Sequence, residues 1–212
     1  MIQNEFKDAT VLHEKMSRGT LRKVIYKNHR IYKHFTTVKW PGDLRKPWRL
    51  EAKALLYLQE RGIECPKFLS LHEEGRQAVL CKAFVDGEPL SDISSNNVAL
   101  VARTLAKINA TGVFTCDPHV GNFLLTTEEK TIFIDFGRSK IFRNRLVSFL
   151  IYLGKEKARI NHLLLSATDD QLKDAFWNAY TAALGEVKDP VNIAKISEQY
   201  WLKRMKRNAS AR

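Results

Sequence analysis

Asp117, Asn122 and Asp135 are the residues whose types and spacing suit chemistry. They fall in "CDPHVGNFLL" (116–125) and "IFIDFG" (132–137), beside apolar runs where carboxylates and amides form strands poorly and resist burial unless paired. Pro118 and Gly121 restrict the turn between Asp117 and Asn122. Asn122 and Asp135 offer the hard oxygen ligands that magnesium prefers, in a shell it shares with waters and phosphates. Asp117 beside them would accept the proton of an incoming hydroxyl. Phosphoryl transfer needs little more than a positioned nucleophile, a metal and cations on the phosphates. A cation lies upstream, Lys33 in "RIYKHF", and Glu51 in "WRLEAKALL" is the carboxylate that would hold it in place.

The elements that must position these groups follow from periodicity. "ATVLHE" (9–14), "LRKVIYKN" (21–28) and "RIYKHF" (30–35) are rich in β-branched and aromatic residues and predict strands. The first two join through "KMSRGT" with Gly19, and the next two through the hairpin signal Asn28-His29. A helix follows, with Pro47 in its first turn, an apolar stripe of Leu50, Ala54 and Leu58, and Gly62 at its end. "FLSLHEE" and "QAVLCKAFV" predict another strand pair, interrupted by "DGEPL". Ser94 or Ser95 is expected to cap a helix whose core face is Val98, Val101, Leu105 and Ile108, with Gly112 as its stop. "NFLL" and "TIFID" predict two short strands carrying the polar cluster. Thr168 and Gln171 form a capping-box pattern before "DAFWNAYTAAL", and a final helix runs from about Val191 into a basic tail. A strand-rich part followed by a helical part places a cleft between them, a favoured position for ligands.

The chain has 212 residues, 44% hydrophobic and 27% charged, as expected of a globular protein with a real core. Its net charge of +12 must face solvent or an anionic partner: phosphate, nucleic acid or an acidic membrane surface. Between Lys15 and Arg49 the only acid is Asp43, which suits either a solvated face or an anionic ligand. Cys65, Cys81 and Cys116 have no metal-ligand spacing and an odd count, so free thiols in a reducing compartment are expected. The polar start "MIQNEFKDAT" does not read as a signal peptide, and the apolar run "LVSFLIYL" (146–153) is far short of the ~20 residues that span a bilayer. The expected location is the cytoplasm, with peripheral attachment to the cytosolic face of a membrane as an option. No helix-turn-helix, zinc finger or aromatic-rich RNA motif supports nucleic acid as a partner.

In the order of its motifs the chain resembles the protein-kinase-like fold over residues 9–145: a glycine-containing hairpin, strand Lys33, helix Glu51, a hinge near Ala83–Val85, the loop Asp117 to Asn122, and Asp135-Phe136-Gly137. The wording "DPHVGN" is most similar to the lipopolysaccharide kinases, the Kdo and core-heptose kinases. That resemblance implies an α+β fold in two lobes, residues 1–84 strand-rich and residues 85–212 a reduced helical lobe. It implies ATP and magnesium as cofactors and an inner-core sugar hydroxyl of lipopolysaccharide, at the inner-membrane face, as acceptor. Lys33, Glu51, Gly19 and Ala83 would bind the nucleotide, Asn122 and Asp135 the metal, and Asp117 would be catalytic. Thr115 and Cys116 stand where the family often has His followed by Arg or Gly, the hairpin holds a single glycine, and Lys82 puts a charge near the back of the adenine pocket.

Other readings keep their place beside this one. A small atypical Ser/Thr protein kinase would use the same residues. Antibiotic phosphotransferases bind cationic aminoglycosides in acidic pockets, which a +12 chain fits poorly. A pseudokinase binding module would not need Lys33, Glu51, Asp117, Asn122 and Asp135 together. His119 reads as a packing or hydrogen-bonding residue, Cys116 lacks the activating partners of a nucleophile, and the four tryptophans read as core or interface anchors. In "YWLKRMKRNASAR", Trp201, Leu202 and Met205 share one side of a helix. The segment reads either as an interfacial anchor or as a solvated helix end whose cations complement the helix dipole.

Overall fold

A computed structural model describes residues 8–142, 146–189 and 191–210. The first lobe is an antiparallel sheet of β1 (Thr10–Ser17), β2 (Thr20–Lys27), β3 (Arg30–Thr37), β4 (Phe68–Glu74) and β5 (Gln77–Ala83), in the order β1-β2-β3-β5-β4. Two-residue turns join the first three strands. Arg18-Gly19 and Asn28-His29 all have positive φ, the backbone that matches the twist of a tight hairpin. The first turn is therefore tighter than "KMSRGT" suggested, and Lys15, Met16 and Ser17 belong to β1.

Helix α1 (Pro47–Gln59) packs on the sheet, with Trp48 and Ala52 against Phe35, Ala78 and Leu80. Its next turns, Ala54, Leu55 and Leu58, enter the larger core of the second lobe. Ala54 and Leu58 are fully buried, whereas Leu50 is only half-buried, because Trp48, Glu51 and Ala52 face the sheet instead. One helix thus bridges both cores and carries Glu51 where they meet.

The second lobe contains β6 (Glu88–Pro89), α2 (Val98–Ala110), β7 (Val113–Phe114), β8 (Phe123–Leu125), β9 (Thr131–Phe133), β10 (Lys140–Ile141), α3 (Leu146–Arg159), α4 (Asp170–Leu184) and α5 (Ile193–Ser210). β6-β8-β9 and β7-β10 form two small sheets. The α2 face of Val98, Val101, Leu105 and Ile108 is buried as expected. Its cap differs: Asn97 precedes the helix and its side chain accepts from the Ser94 backbone N–H, so neither serine side chain caps it. At α4 the cap is Asp169, whose carboxylate accepts from Leu172 N at 2.8 Å; a carboxylate one position on displaces the expected Thr168. α5 begins two residues later than expected and packs on α3, where a Cβ on Gly154 would lie 2.1 Å from the Ala194 carbonyl oxygen. Trp48 is a core residue, but Trp40 is 81% exposed and anchors nothing within this chain's described residues.

The result is the α+β architecture expected, a strand-rich N-lobe with a reduced helical C-lobe. Among the described residues no helix is long and apolar enough to cross a membrane.

Candidate active site

The alternation of a strand places Phe35, Lys33 and Ile31 of β3 beside Ala78, Leu80 and Lys82 of β5, all on the face that α1 covers. Two lysines therefore point at one helix. Lys33 Nζ donates to Glu51 Oε2 at 2.7 Å and to Asp135 Oδ1 at 3.0 Å. Lys82 Nζ donates to Glu51 Oε1 at 2.7 Å and to the Ile134 carbonyl at 2.6 Å. Lys33, Glu51 and Lys82 are each at most 5% exposed. Two ammonium groups and two carboxylates balance, which is the condition under which charges tolerate burial.

The four groups are not held equally. Burial would raise the Asp135 pKa, but Lys33 and Lys82, with help from Arg22, hold it far below the usual carboxylate range. Burial likewise opposes the Lys33 charge, and Asp135 and Glu51 outweigh it, so the Lys33 pKa is raised. Lys82 has one carboxylate in contact instead of two. Burial, offset in part by Glu51 and reinforced by repulsion from Lys33, leaves its pKa lowered. From the sequence alone Lys82 is an unexpected charge. Its i, i+2 spacing from buried Leu80 was the signal that it faces inward, and its partner was invisible until Glu51 was placed.

The loop that carries Asp117 is tied from below. The backbone N–H groups of Thr115 and Cys116 and the Thr115 hydroxyl donate to Glu156 on α3, the shortest bond being 2.6 Å. Burial pushes the Glu156 pKa up, and these hydrogen bonds and Arg159 oppose it. Cys116 is held at φ +62°, a left-handed conformation that a non-glycine residue keeps only where its surroundings impose it. Nothing in the sequence marked Glu156, an acid inside an otherwise apolar and basic helix. Asn122 Nδ2 donates to the Asp117 carbonyl at 2.9 Å, which closes the loop and leaves Oδ1 as the amide atom that would meet a cation. The Asp117 carboxylate pairs with Arg138 at 3.2 Å.

A cavity of about 450 Å³ opens between the lobes, with Thr20 and Arg22 of β2 on one side and Asp117, Asn122 and Asp135 on the other. Arg22 lies 3.5 Å from Asp135. Asp135 and Asn122 fit a magnesium ion: one is a carboxylate kept ionised, the other a fixed amide oxygen, and both face the same cavity. Among the described residues no three His, Cys, Asp or Glu side chains converge on a metal, so the remaining ligands would be phosphate oxygens and water.

The structure thus brings Asp117, Asn122 and Asp135 to one cleft, with Lys33 and Glu51 buried behind it and joined to it through the Lys33–Asp135 bond. It sets Gly19 and Ala83 apart from that cluster. The Gly19 carbonyl accepts from Val38 and Lys39, and a Cβ there would meet the Lys39 oxygen at 2.6 Å, so its close packing against the segment after β3 explains a glycine. Ala83 ends β5, half-buried, with its N–H donating to Lys67 at 2.8 Å. His119 lines the cavity with its side chain exposed.

Residues 63–160 match the model of the ABC1 atypical kinase-like domain. The match includes Lys82, Asp117, Asn122 and Asp135 but stops short of Lys33 and Glu51. Among curated proteins none matches the sequence significantly. Among solved structures the chain is similar to the bifunctional kinase-methyltransferase WbdD, at 17% identity and a TM-score of 0.50, covering 85% of this chain and 47% of that one. A structure of monomeric WbdD gives 18% identity and a TM-score of 0.53 over 86% of this chain and 44% of that one. The chain spans less than half the length of these structures. At such identities the likeness establishes the fold, which is protein-kinase-like.

Proposed function

We propose that the protein is an ATP-dependent kinase that phosphorylates a sugar hydroxyl of the lipopolysaccharide inner core. The observation that carries this reading is the position of Asp117. It borders a cavity holding Asp135 and Asn122 on one side and a strongly basic cavity on the other. Residues 1–84 form the nucleotide lobe and residues 85–212 the acceptor lobe. Lys33, fixed by Glu51, binds the nucleotide phosphates, while Gly19 shapes the covering hairpin and Ala83 the hinge. Asn122 and Asp135 hold magnesium, which neutralises phosphate charge when bound. Asp117 orients the acceptor hydroxyl and takes its proton, and Glu156 keeps the backbone of that loop in place.

The kinase-like fold and the matched family model support phosphotransfer. The basic surface and the resemblance of "DPHVGN" support an anionic glycolipid acceptor over an aminoglycoside. The test is incubation with ATP, magnesium and lipopolysaccharide from a strain lacking this gene, read by mass spectrometry. One added phosphate per core, absent with Asp117→Asn, is expected. No phosphate gain on any core would reject the acceptor.

A further inference from the structure

The second cavity, about 510 Å³, shares Asp117, Arg45 and Arg138 with the first. Its walls carry Arg18, Arg45, Arg138, Lys140, Lys155 and Arg159 against one carboxylate, Asp117. Three of these cations are matched: Arg45 by Asp43, Arg138 by Asp117 at 3.2 Å and Arg159 by Glu156 at 3.6 Å. Among the described residues, Arg18, Lys140 and Lys155 have no carboxylate at ion-pair distance. The Arg159 match is incomplete, because its Nη1 is buried with no hydrogen-bond acceptor. Lys155 is fixed in place by its ammonium lying 3.8 Å from the Trp201 ring centroid. Burial and the charges of Arg159, Arg204 and Lys140 lower its pKa, as expected where cations crowd without counter-charge. Such a concave, one-sign surface concentrates anions. Leu163 and Met205 add apolar wall.

We infer that this second cavity is the acceptor site, and that the acceptor carries at least two negative charges, on phosphate or carboxylate groups, beside the hydroxyl that meets Asp117. The inference rests on the phosphotransfer reading of Asp117. It also orders the chemistry: an earlier reaction must phosphorylate the acceptor or attach an acidic sugar before this protein acts.

The test uses the full chain saturated with magnesium and a non-hydrolysable ATP analogue, titrated calorimetrically with glucose 1,6-bisphosphate and, as the uncharged control, glucose. Saturable binding of the bisphosphate alone is expected. Lys140→Gln/Lys155→Gln should weaken it at least about tenfold, the scale of losing charge-assisted hydrogen bonds, while the analogue binds as in wild type. Competition between bisphosphate and analogue, or equal binding by the variant, would overturn the inference. Failure of the analogue to bind, with bisphosphate binding retained, would instead count against the kinase reading and leave the anion cavity standing. Equal turnover on charged and uncharged acceptors would overturn the inference and leave phosphotransfer intact. Vesicles of phosphatidic acid that displace the bisphosphate would assign the charge to a lipid-borne acceptor, and vesicles that do not would assign it to a soluble sugar phosphate; either result upholds the cavity.

Discussion

Replacing Lys82 by Met tests whether Lys33, Glu51, Lys82 and Asp135 act as one unit. The Lys82 ammonium bonds Glu51 at 2.7 Å and the Ile134 carbonyl at 2.6 Å in a site where the residue is 4% exposed. A hydrogen bond to a charged group contributes about 1.5–3 kcal/mol, and a buried carbonyl left without a donor costs about 1–3 kcal/mol. Against these stand the relief of no longer burying an ammonium and the apolar fill of the Met side chain. The expected net loss is about 2 kcal/mol, which lowers Tm by about 4–8 °C for a chain of this size. Lys33→Met should cost more, since Lys33 bonds two carboxylates. The double variant leaves Glu51, 1% exposed, with neither lysine. Its loss should exceed the sum of the single losses by about 1 kcal/mol or more. Urea denaturation followed by tryptophan fluorescence reads all four proteins. Additivity within about 0.5 kcal/mol would refute the shared-carboxylate argument. The pH dependence has a definite sign. The folded Lys82 pKa is lowered, so between that value and the ordinary value of about 10.4 the unfolded chain binds more protons. Wild type should gain stability as pH rises through that window, and Lys82→Met should lack the gain.

Asp117→Asn should keep ATP affinity within a few-fold and lower turnover by about 10² or more; normal turnover would remove Asp117 from its role. Asp135→Asn should abolish the magnesium-dependent part of ATP stabilisation in a thermal-shift titration. Because the Asp135 pKa is depressed in the fold, its contribution is present above the unfolded value of about 3.9 and lost as pH falls below it. Wild-type stability should therefore drop more steeply in acid than that of Asp135→Asn. At α5, Trp201 and Met205 are half-buried, with Trp201 under Lys155, so the outward face carries Lys203, Arg204, Lys206 and Arg207. The protein should co-sediment with anionic liposomes at low salt and release at ~1 M salt. Lys203→Glu/Arg207→Glu should weaken the association, at about 1 kcal/mol for each cation lost; indifference to salt and to reversal would reject it.

What the sequence disclosed was whatever local chemistry determines. Asn28-His29 announced a hairpin because its residues tolerate left-handed backbone, Gly19 marked the first turn without fixing its length, and the α2 face was legible from its period. The polar cluster at Asp117, Asn122 and Asp135 was conspicuous because such residues fit poorly among apolar runs. The caps of α2 and α4 were misplaced by one to three residues, since Ser94, Ser95, Asn97, Thr168 and Asp169 are all capable caps and only the backbone path selects among them. Lys82 and Glu156 were hidden for a different reason. Each is a buried charge whose hydrogen-bond partners lie far along the chain, 31 and 52 residues away for Lys82 and 40–41 for Glu156, and no local pattern encodes a pairing at that distance.

The pair between Arg138 and Asp117 ties acceptor charge to catalysis. At 3.2 Å, with Arg138 half exposed, the contact is an ion pair that water and other anions can compete for. While it holds, Arg138 occupies a carboxylate oxygen of Asp117 that would otherwise be open to the acceptor hydroxyl. Arg138 also borders the second cavity, where a phosphate would offer its guanidinium a bidentate partner. An acceptor bearing phosphate therefore draws Arg138 from Asp117 as it binds, and an uncharged acceptor does not. Arg138→Gln removes this linkage. It should lower kcat/KM for a phosphorylated acceptor by about tenfold, the loss of one charge-assisted contact, while raising kcat for the same acceptor stripped of phosphate. Paired kinetics on the two acceptors measure the ratio. A parallel fall on both would show that Arg138 serves the loop's structure alone, and that the charge of the acceptor has no part in freeing Asp117.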